Sequence, residues 1–264
     1  MKRLNILFSC FFFALTALAQ DIQITHGPYL CDMTSDGVTI VWTTNKPALS
    51  WVEIAPDDNK SFYAAERPKF FETVAGRKLA SKTLHRVRVS DLNSGTNYRY
   101  RIFSQEVMDI GKNNNIRYGK TVASNVYSQK PFLFKTYADT GTNASFLVLN
   151  DIHGKADFMM DLCKDIDFKK LDFVMLNGDM SNSVESEDQI FKDYIDASVK
   201  MYASETPIMY NRGNHETRGA FADNLIDYFP TQDGKFYQLY KVGNICFLVL
   251  DCGEDKPDSD IEYS

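Results

Sequence analysis

The sequence lacks an excess of positive charge, internal repeats and low-complexity tracts. It contains 29 Lys and Arg residues against 35 Asp and Glu residues, which gives a formal net charge of −6. Non-specific nucleic-acid binding depends on clustered Lys and Arg, so this composition gives no electrostatic reason to expect a nucleic-acid partner. With 264 residues, of which 44% are hydrophobic, the chain is long enough for two ordinary globular domains.

Cysteine is sparse, with five residues in the whole chain. The spacing of the four that follow the N-terminal region matches no zinc or redox motif. Cys163 falls in a predicted helix and Cys246 in a predicted apolar strand, so we interpret both as small buried residues. In an exported protein a disulfide between Cys246 and Cys252 is an open alternative.

The N terminus has the pattern of a secretory leader. Two basic residues precede an apolar run from Leu4 to Ala14, and Ala17-Leu18-Ala19 fits the small-x-small pattern of a cleavage site. We therefore predict a signal peptide at residues 1–19 and export to the periplasm or the extracellular space. The run is short for a bilayer span, so no transmembrane anchor is expected after cleavage. A lipoprotein attachment at Cys10 stays open.

Residues 20–138 have the pattern of an all-β sandwich. Short runs of β-branched and aromatic residues are separated by Gly, Asn, Asp and Pro, which favours antiparallel strands. The predicted strands are 38–43, 50–54, 85–89 and 98–102, and the polar segment 109–128 is interpreted as a long hairpin loop. His26 and His85 lie in this region, and we predict structural roles for both.

Residues 143–264 show a different pattern, typical of an α/β layered domain. Continuous apolar runs indicate strands that are buried on both faces. These runs are 146–149, 173–176, 208–210 and 245–250. Between them, segments 158–169 and 189–203 have the apolar periodicity of helices, which predicts strand-helix-strand crossovers and parallel strands.

Polar side chains follow three of these predicted strands directly. Asp151 and His153 follow the first, Asp179 the second, and Asn214 and His215 the third. Ligand sites in α/β sheets gather at the carboxyl ends of strands, so we expect these side chains to converge.

Their chemistry suits two divalent metal ions. Asp151 and His153 are two positions apart on an extended segment and can bind one ion, Asp179 can bridge both ions, and Asn214 offers a carbonyl oxygen to the second. A pair of ions can bind a phosphate ester and activate water. The identity of the metal, whether Mn, Zn or Fe, is left open.

Taken in order, the motifs D-x-H, G-D-x-x-N and G-N-H-E resemble those of the calcineurin-like metallophosphoesterase family. The preceding region is similar to the fibronectin type III-like N-terminal domain of purple acid phosphatases. The resemblance implies a metal-dependent phosphoric ester hydrolase that acts on a small phosphate ester. Whether the substrate is a monoester, a diester or a nucleotide is left open, as is the oligomeric state.

The resemblance also implies roles for individual residues. His215 is expected to face the phosphate and protonate the leaving group, without binding metal. Glu216 is expected to orient His215 or a metal ligand. Arg212 is a candidate for contacting the phosphate, although a surface role is an equal alternative.

Two departures from the family pattern qualify this assignment. Asn182 stands where purple acid phosphatases carry the tyrosine that gives them their colour, so this protein is not expected to be purple. The family pattern also includes a downstream G-H-x-H, and no histidine follows His215. We therefore expect the 264 residues to be the first part of a longer protein and to be inactive alone. The alternative is a surface binding protein with a functional sandwich and a degenerate phosphoesterase part.

Overall fold

The computed structural model describes residues 20–124 and 129–253. The predicted signal peptide at residues 1–19 lies outside these ranges, as do residues 254–264, so export remains a prediction. Within the described ranges, no helix combines the length and the apolar character needed to cross a membrane.

The N-terminal region is a β-sandwich, as predicted. Its long second strand, β2, pairs with β1 and β6 through its first half and with β3 and β7 through its second half. The pairing with β6 changes register between Thr43 and Ala48. The described strands of this region are β1 (Ile24–Cys31), β2 (Val38–Pro56), β3 (Lys69–Phe71), β4 (Thr73–Val74), β5 (Arg77–Lys78), β6 (Lys82–Val89), β7 (Asn97–Ile110), β8 (Ile116–Ala123) and β9 (Phe132–Lys135).

The prediction of a long loop over 109–128 was wrong for residues 109–110 and 116–123, which lie in strands, while residues 125–128 lie outside the described ranges. Strands β7 and β8 form a hairpin that pairs Phe103 with Ala123 and Ile110 with Ile116. Only a short turn, which includes a 3₁₀ turn at Lys112–Asn114, separates them. The polar residues reflect the exposure of this hairpin to solvent, which does not prevent backbone pairing.

The second region is an α/β layer. Strands β10 (Phe146–Leu149), β11 (Phe173–Asn177) and β12 (Ile208–Asn211) are parallel and adjacent, as predicted. Helix α1 (Ala156–Leu162) connects β10 to β11. The β11–β12 connection is a continuous helical segment formed by α2 (Glu187–Ile190), a π-helical stretch (Phe191–Ile195), α3 (Asp196–Ser198) and a second π-helical stretch (Val199–Ala203).

Helix α1 is shorter than the predicted segment 158–169. It ends at Leu162, and a separate 3₁₀ turn covers Phe168–Lys170. Beyond β12 come 3₁₀ turns at His215–Thr217 and Ala222–Asn224, followed by helix α4 (Leu225–Tyr228).

Two predictions about the apolar runs were wrong. Strand β10 is not buried on both faces, because it lies at the edge of the sheet and leaves Phe146 and Val148 about two-fifths exposed. The run at 245–250 is not a further parallel strand: β13 (Gln238–Val242) and β14 (Ile245–Val249) form a separate antiparallel hairpin. Cys246, which was expected to be buried in that strand, is exposed.

One sheet runs through both regions. Strand β1 of the sandwich lies beside β12, with Cys31 opposite Ile208, so the strand order is β10-β11-β12-β1-β2-β7-β8. The cores are shared as well. Tyr29 and Cys31 of β1 pack within the helical core of the α/β layer, whereas Phe173 and Met209 pack within the core of the sandwich.

Polar contacts reinforce this junction. His26 Nδ1 lies 2.9 Å from Asp196 Oδ1, and its ring stacks on Phe191 with centroids 4.0 Å apart. The Tyr29 hydroxyl donates to the carbonyl of Tyr228 at 2.8 Å. The sandwich therefore packs against the helical segment that connects β11 to β12 and holds it in place.

Two buried titratable groups of the sandwich oppose each other in their effect on stability. Burial lowers the pKa of His85 to about 3; the imidazole packs on Trp42 and lies 2.8 Å from Thr44 Oγ1. Burial raises the pKa of Asp32 to about 6, although the Arg88 guanidinium 3.0 Å away acts in the opposite direction. The contribution of neutral His85 to the unfolding free energy is therefore lost as pH falls from 6.5 towards 3. The contribution of protonated Asp32 to the same free energy is lost as pH rises from 3.8 towards 6.

We predict that single substitutions separate these two effects. His85→Gln should make the loss of unfolding free energy on acidification shallower, by up to about 1.4 kcal/mol per pH unit, because one proton uptake on unfolding is removed. Asp32→Asn should make the same loss steeper. Urea unfolding between about pH 4 and 7 measures both slopes, and variants whose slopes match the parent protein would contradict the assignment.

Candidate metal centre

The candidate site lies where the three parallel strands end. The segments that follow β10 and β11 continue to pair beyond the sheet: the amide of Asp151 donates to Gly178 O at 3.2 Å, and the amide of His153 donates to Asp179 O at 3.0 Å. The loop after β12 reaches the same place, since the amide of His215 donates to Asp179 Oδ1 at 3.2 Å. The structure thus brings together the three polar segments identified in the sequence.

Three of the predicted ligands have left-handed backbone conformations, so the prediction that Asp151 and His153 lie on an extended segment was wrong. The φ angles of Asp151, His153 and Asp179 are 56°, 52° and 53°. Such angles are unfavourable for residues with a side chain, and they cluster at functional sites where the surrounding structure enforces them. Here the backbone hydrogen bonds between the two loops hold these conformations.

Two glycines allow the loops to touch. A Cβ atom on Gly178 would lie 2.8 Å from the Cα atom of Gly213, and a Cβ on Gly213 would collide with the Asp179 carboxylate. Direct backbone contact between the β11 and β12 loops therefore requires glycine at both positions.

The Glu216 carboxylate holds the loop after β11 and the loop after β12 together. Its side chain is fully buried, and its carboxylate accepts backbone hydrogen bonds from Asp179 at 2.8 Å, Gly213 at 2.9 Å and Ser181 at 3.0 Å. Three amide donors compensate for the burial of the charge. These hydrogen bonds fix the loop that carries Asp179 relative to the loop that carries Gly213; the role of Glu216 in orienting His215 or a metal ligand stays a prediction.

The potential ligand atoms lie close together. His153, Asp179 and His215 each place one potential ligand atom within 4.8 Å of those of the other two. Asp151 Oδ1 lies 3.8 Å from His153 Nε2, and the Asn214 amide lies 3.2 and 3.3 Å from the two Asp179 carboxylate oxygens. The five candidate ligand and acid side chains therefore lie beside one another at the ends of the three strands.

This donor set fits a divalent transition metal. Carboxylate and imidazole groups suit Mn, Zn or Fe, and the buried Nδ1 of His153 has no hydrogen-bond partner among the described residues. The Asn214 amide can face Asp179 by either end. Its nitrogen faces Asp179 when its oxygen accepts from Arg218 Nη2 at 3.0 Å, whereas metal ligation requires the oxygen to face Asp179.

His215 is held in a defined orientation. Its Nδ1 lies 2.8 Å from the carbonyl oxygen of Asn182, and a carbonyl oxygen can only accept, so Nδ1 carries a proton. The Asn182 side chain reaches the His153 carbonyl at 3.4 Å. Asn182 therefore links the two histidines, whose rings meet edge to face with centroids 4.8 Å apart.

Comparison with known proteins finds a family similar to this region. Residues 144–256 match the family model of calcineurin-like phosphoesterases. This range of residues is therefore similar to calcineurin-like phosphoesterases. The matched range contains all three loops of the site. A search of curated protein sequences found no match.

A longer protein of solved structure has a similar fold. A purple acid phosphatase from yellow lupin (Lupinus luteus) seeds has a TM-score of 0.59 at 17% identity, covering 89% of this chain and 46% of that one. The fn3 domain of the human collagen alpha-1(XX) chain has a TM-score of 0.27 at 15% identity, covering 46% of this chain and 90% of that one. The lupin protein shares the fold, and the present chain spans less than half of its length.

Within the matched range, Arg212 is paired with Asp251. Its guanidinium forms a two-point ion pair with Asp251, with Nε 3.1 Å from Oδ1 and Nη2 2.5 Å from Oδ2. It also lies over the Phe236 ring, 4.8 Å from the centroid. In this position Arg212 ties the end of β12 to the segment after β14 and does not contact the candidate ligands.

Sequence analysis missed Arg218, which lies beside His215. Its Nη1 atom is 3.3 Å from Nδ1 and 3.4 Å from Nε2 of the imidazole. Arg218 follows His215 by three positions, and its amide donates to the His215 carbonyl at 3.2 Å across the 3₁₀ turn. A turn predicted directly after G-N-H-E would have been the signal, because residues three apart in such a turn share a face.

We predict that Glu216→Gln loosens the metal centre. A glutamine presents an amide nitrogen where the structure requires an acceptor, so at least one of the three backbone donors loses its partner. The unfolding free energy should fall by about 1–3 kcal/mol, and Mn²⁺ affinity of the full-length protein should fall about 10- to 100-fold. Denaturant titration and calorimetry measure the two effects.

Glu185→Gln is the matched control, because the exposed Glu185 accepts a single backbone hydrogen bond, from Ala220 at 3.3 Å. It should leave both quantities close to those of the parent protein. If Glu216→Gln behaved like this control, Glu216 would not be the residue that holds the loops together.

Proposed function

We propose that this protein is an exported phosphoesterase that hydrolyses small phosphate esters with the help of two divalent metal ions. The observation that carries the proposal is the meeting of Asp151, His153, Asp179, Asn214 and His215 on three strand-end loops inside the range that matches calcineurin-like phosphoesterases. Similarity to that family supports phosphoester hydrolysis. The number of ions, their identity and the export of the protein are parts of the proposal.

The described residues divide naturally between two ions. Asp151 and His153 would hold the first, Asn214 would contribute its carbonyl oxygen to the second, and Asp179 would be shared. When bound, such ions supply Lewis-acid activation of water and of the phosphate group. Each ion usually takes four to six donors, so ligands beyond these described ones are part of the proposal.

His215 would act as the general acid. The Asn182 carbonyl holds the proton on Nδ1, which directs the other ring nitrogen, Nε2, to the exchange of a proton with substrate. In hydrolysis of an ester, Nε2–H would donate its proton to the leaving alkoxide oxygen as the phosphorus–oxygen bond breaks. Asn182 would therefore set the tautomer without touching the substrate.

Charge supports a small substrate. The chain carries a net charge of −6, which would repel a long phosphate polymer, whereas a single phosphate group can be held by local positive charge.

Asn182 stands where purple acid phosphatases carry a tyrosine, so the proposed centre lacks that ligand and would not be purple.

Removal of metal should abolish hydrolysis. We expect full-length protein treated with a chelator to lose activity on 4-nitrophenyl phosphate and to regain it with Mn²⁺, Zn²⁺ or Fe²⁺, because both water activation and phosphate binding depend on the ions. Elemental analysis of the active protein should give about two ions per chain. Full activity in metal-free protein would refute the mechanism, and a folded, metal-loaded protein without hydrolysis would favour a binding function.

Substitution of His215 should separate catalysis from metal binding. His215→Ala should retain its metal and lower kcat by roughly 10²- to 10⁴-fold, the usual effect of a positioned acid. The loss should be larger for phenyl phosphate than for 4-nitrophenyl phosphate, since the nitrophenolate leaves without needing a proton. Loss of metal from the variant, measured by elemental analysis, would show instead that His215 is a ligand.

A further inference from the structure

We propose that Gln189 and Asp193 are positioning residues for His215, because together they fix the Asn182 carbonyl that holds its imidazole. The inference rests on the proposed function, in which His215 donates a proton to the leaving group. It gives a specific role to two side chains of the helical segment that connects β11 to β12. Neither residue stood among the site candidates from the sequence.

The backbone around Asn182 depends on side chains for its position. Residues 180–186 form neither helix nor strand. The Asn182 carbonyl lies 2.8 Å from Nδ1 of His215, and this contact decides that the other ring nitrogen meets the substrate. Groups that hold the residues on either side of Asn182 therefore also hold the imidazole.

Gln189 holds the residue that follows Asn182. Its Nε2 atom donates to the carbonyl of Ser183 at 2.8 Å and to Asp193 Oδ2 at 3.2 Å. Its Oε1 atom accepts from the backbone amide of Glu185 at 2.9 Å. The side-chain amide therefore holds the loop at two points, one with each end.

Asp193 holds the residue that precedes Asn182. Its Oδ2 atom accepts from the hydroxyl of Ser181 at 2.8 Å, and the same oxygen receives the bond from Gln189. Ser181 is fully buried, so its hydroxyl needs such a partner. The carboxylate packs against Gly154, where an added Cβ atom would lie 3.0 Å from Asp193 Cγ. One connected pair of side chains thus fixes both neighbours of Asn182.

A helix-capping role is the alternative explanation for Gln189. Ser186 is the N-cap of α2, and its hydroxyl accepts from the Gln189 amide at 3.3 Å. In a capping box, a Gln or Glu at this position returns a bond through its acceptor oxygen. Capping therefore needs only Oε1, whereas Nε2 is the atom that reaches Ser183 and Asp193. A glutamate would keep the acceptor and lose the donor.

The position of the imidazole matters for proton transfer. A general acid must lie within hydrogen-bond reach of the atom that it protonates, and small displacements reduce its effect. A loosened Asn182 carbonyl would let the His215 ring turn away from this geometry. The loss should be larger for a leaving group that needs the proton than for one that does not.

The test uses variants of the full-length protein. Gln189→Glu keeps the acceptor oxygen and removes the donor, whereas Gln189→Met removes both. Asp193→Ala removes the shared acceptor, and Asp193→Asn retains one oxygen that can accept from Ser181 and Gln189. Lys192→Met is the control, because Lys192 is exposed on the same helical segment.

Three quantities are measured for each variant. These are kcat on phenyl phosphate and on 4-nitrophenyl phosphate, Mn²⁺ affinity by calorimetry, and the ring N–H proton signal of His215 by nuclear magnetic resonance. The loss of that signal in His215→Ala assigns it.

For Gln189→Glu, Gln189→Met and Asp193→Ala we expect the ratio of kcat on phenyl phosphate to kcat on 4-nitrophenyl phosphate to fall about 3- to 10-fold, the effect of one lost hydrogen bond. The His215 N–H signal should weaken through faster exchange with water. Mn²⁺ affinity should stay close to wild type, because Glu216 still holds the loop that carries Asp179. Asp193→Asn should recover most of the loss, and Lys192→Met should match wild type.

Three results would overturn the assignment. These are an unchanged ratio in Gln189→Glu, an unchanged His215 N–H signal in that variant, and an equal loss on both esters together with weaker Mn²⁺ binding. The first would leave Gln189 with a capping role alone, and the last would indicate general support of the loop. If wild type hydrolysed neither ester, the proposed function would fail, and the N–H signal would still decide whether Gln189 and Asp193 position His215.

Discussion

The site depends on one buried carboxylate. Glu216 is fully enclosed, yet its two oxygens accept hydrogen bonds from the backbone amides of Asp179, Ser181 and Gly213. Burial of a charge without such partners would cost several kcal/mol, so the loops and the carboxylate stabilise each other. The loop after β11 and the loop after β12 are thereby fixed relative to each other, which restrains the positions of Asp179 and Asn214.

The same restraint explains how strained backbone persists at the strand ends. Asp151, His153 and Asp179 all adopt positive φ angles, each of which costs on the order of 1–3 kcal/mol for a residue with a side chain. Hydrogen bonds between the β10 and β11 loops and the close contact of Gly178 with Gly213 hold these conformations. A rigid backbone of this kind places ligands before any ion binds, which reduces the entropy lost on binding.

The sandwich takes part in supporting the site although it contributes none of the candidate ligands. Strand β1 extends the parallel sheet beside β12, and His26 and Tyr29 fasten the helical segment and α4 to it. That helical segment carries Asp193, which accepts a hydrogen bond from the Ser181 hydroxyl at 2.8 Å. The loop with Asp179 is thus braced by Glu216 on one side and by Asp193 on another.

The sequence alone determined the fold class and the polar groups that meet at the strand ends. Both depend on local pattern: the period of apolar residues distinguishes strand from helix, and each motif follows its strand directly. Even so, a run of apolar residues does not reveal its neighbours. The run at 245–250 forms one strand of an antiparallel hairpin, in which Cys246 is exposed. Strand β10 lies at the edge of the sheet.

Only the tertiary structure decided which side chains act together. Arg212 and Arg218 both lie within three residues of His215, and nothing in their spacing separates their roles. Arg212 is drawn away by Asp251, 39 positions later, whereas Arg218 stays on the His215 ring. Glu216 likewise finds its amide donors up to 37 positions away. Partners so far apart in the sequence meet only when the chain packs. The residues next to Arg212, Arg218 or Glu216 therefore do not indicate which partner each will find.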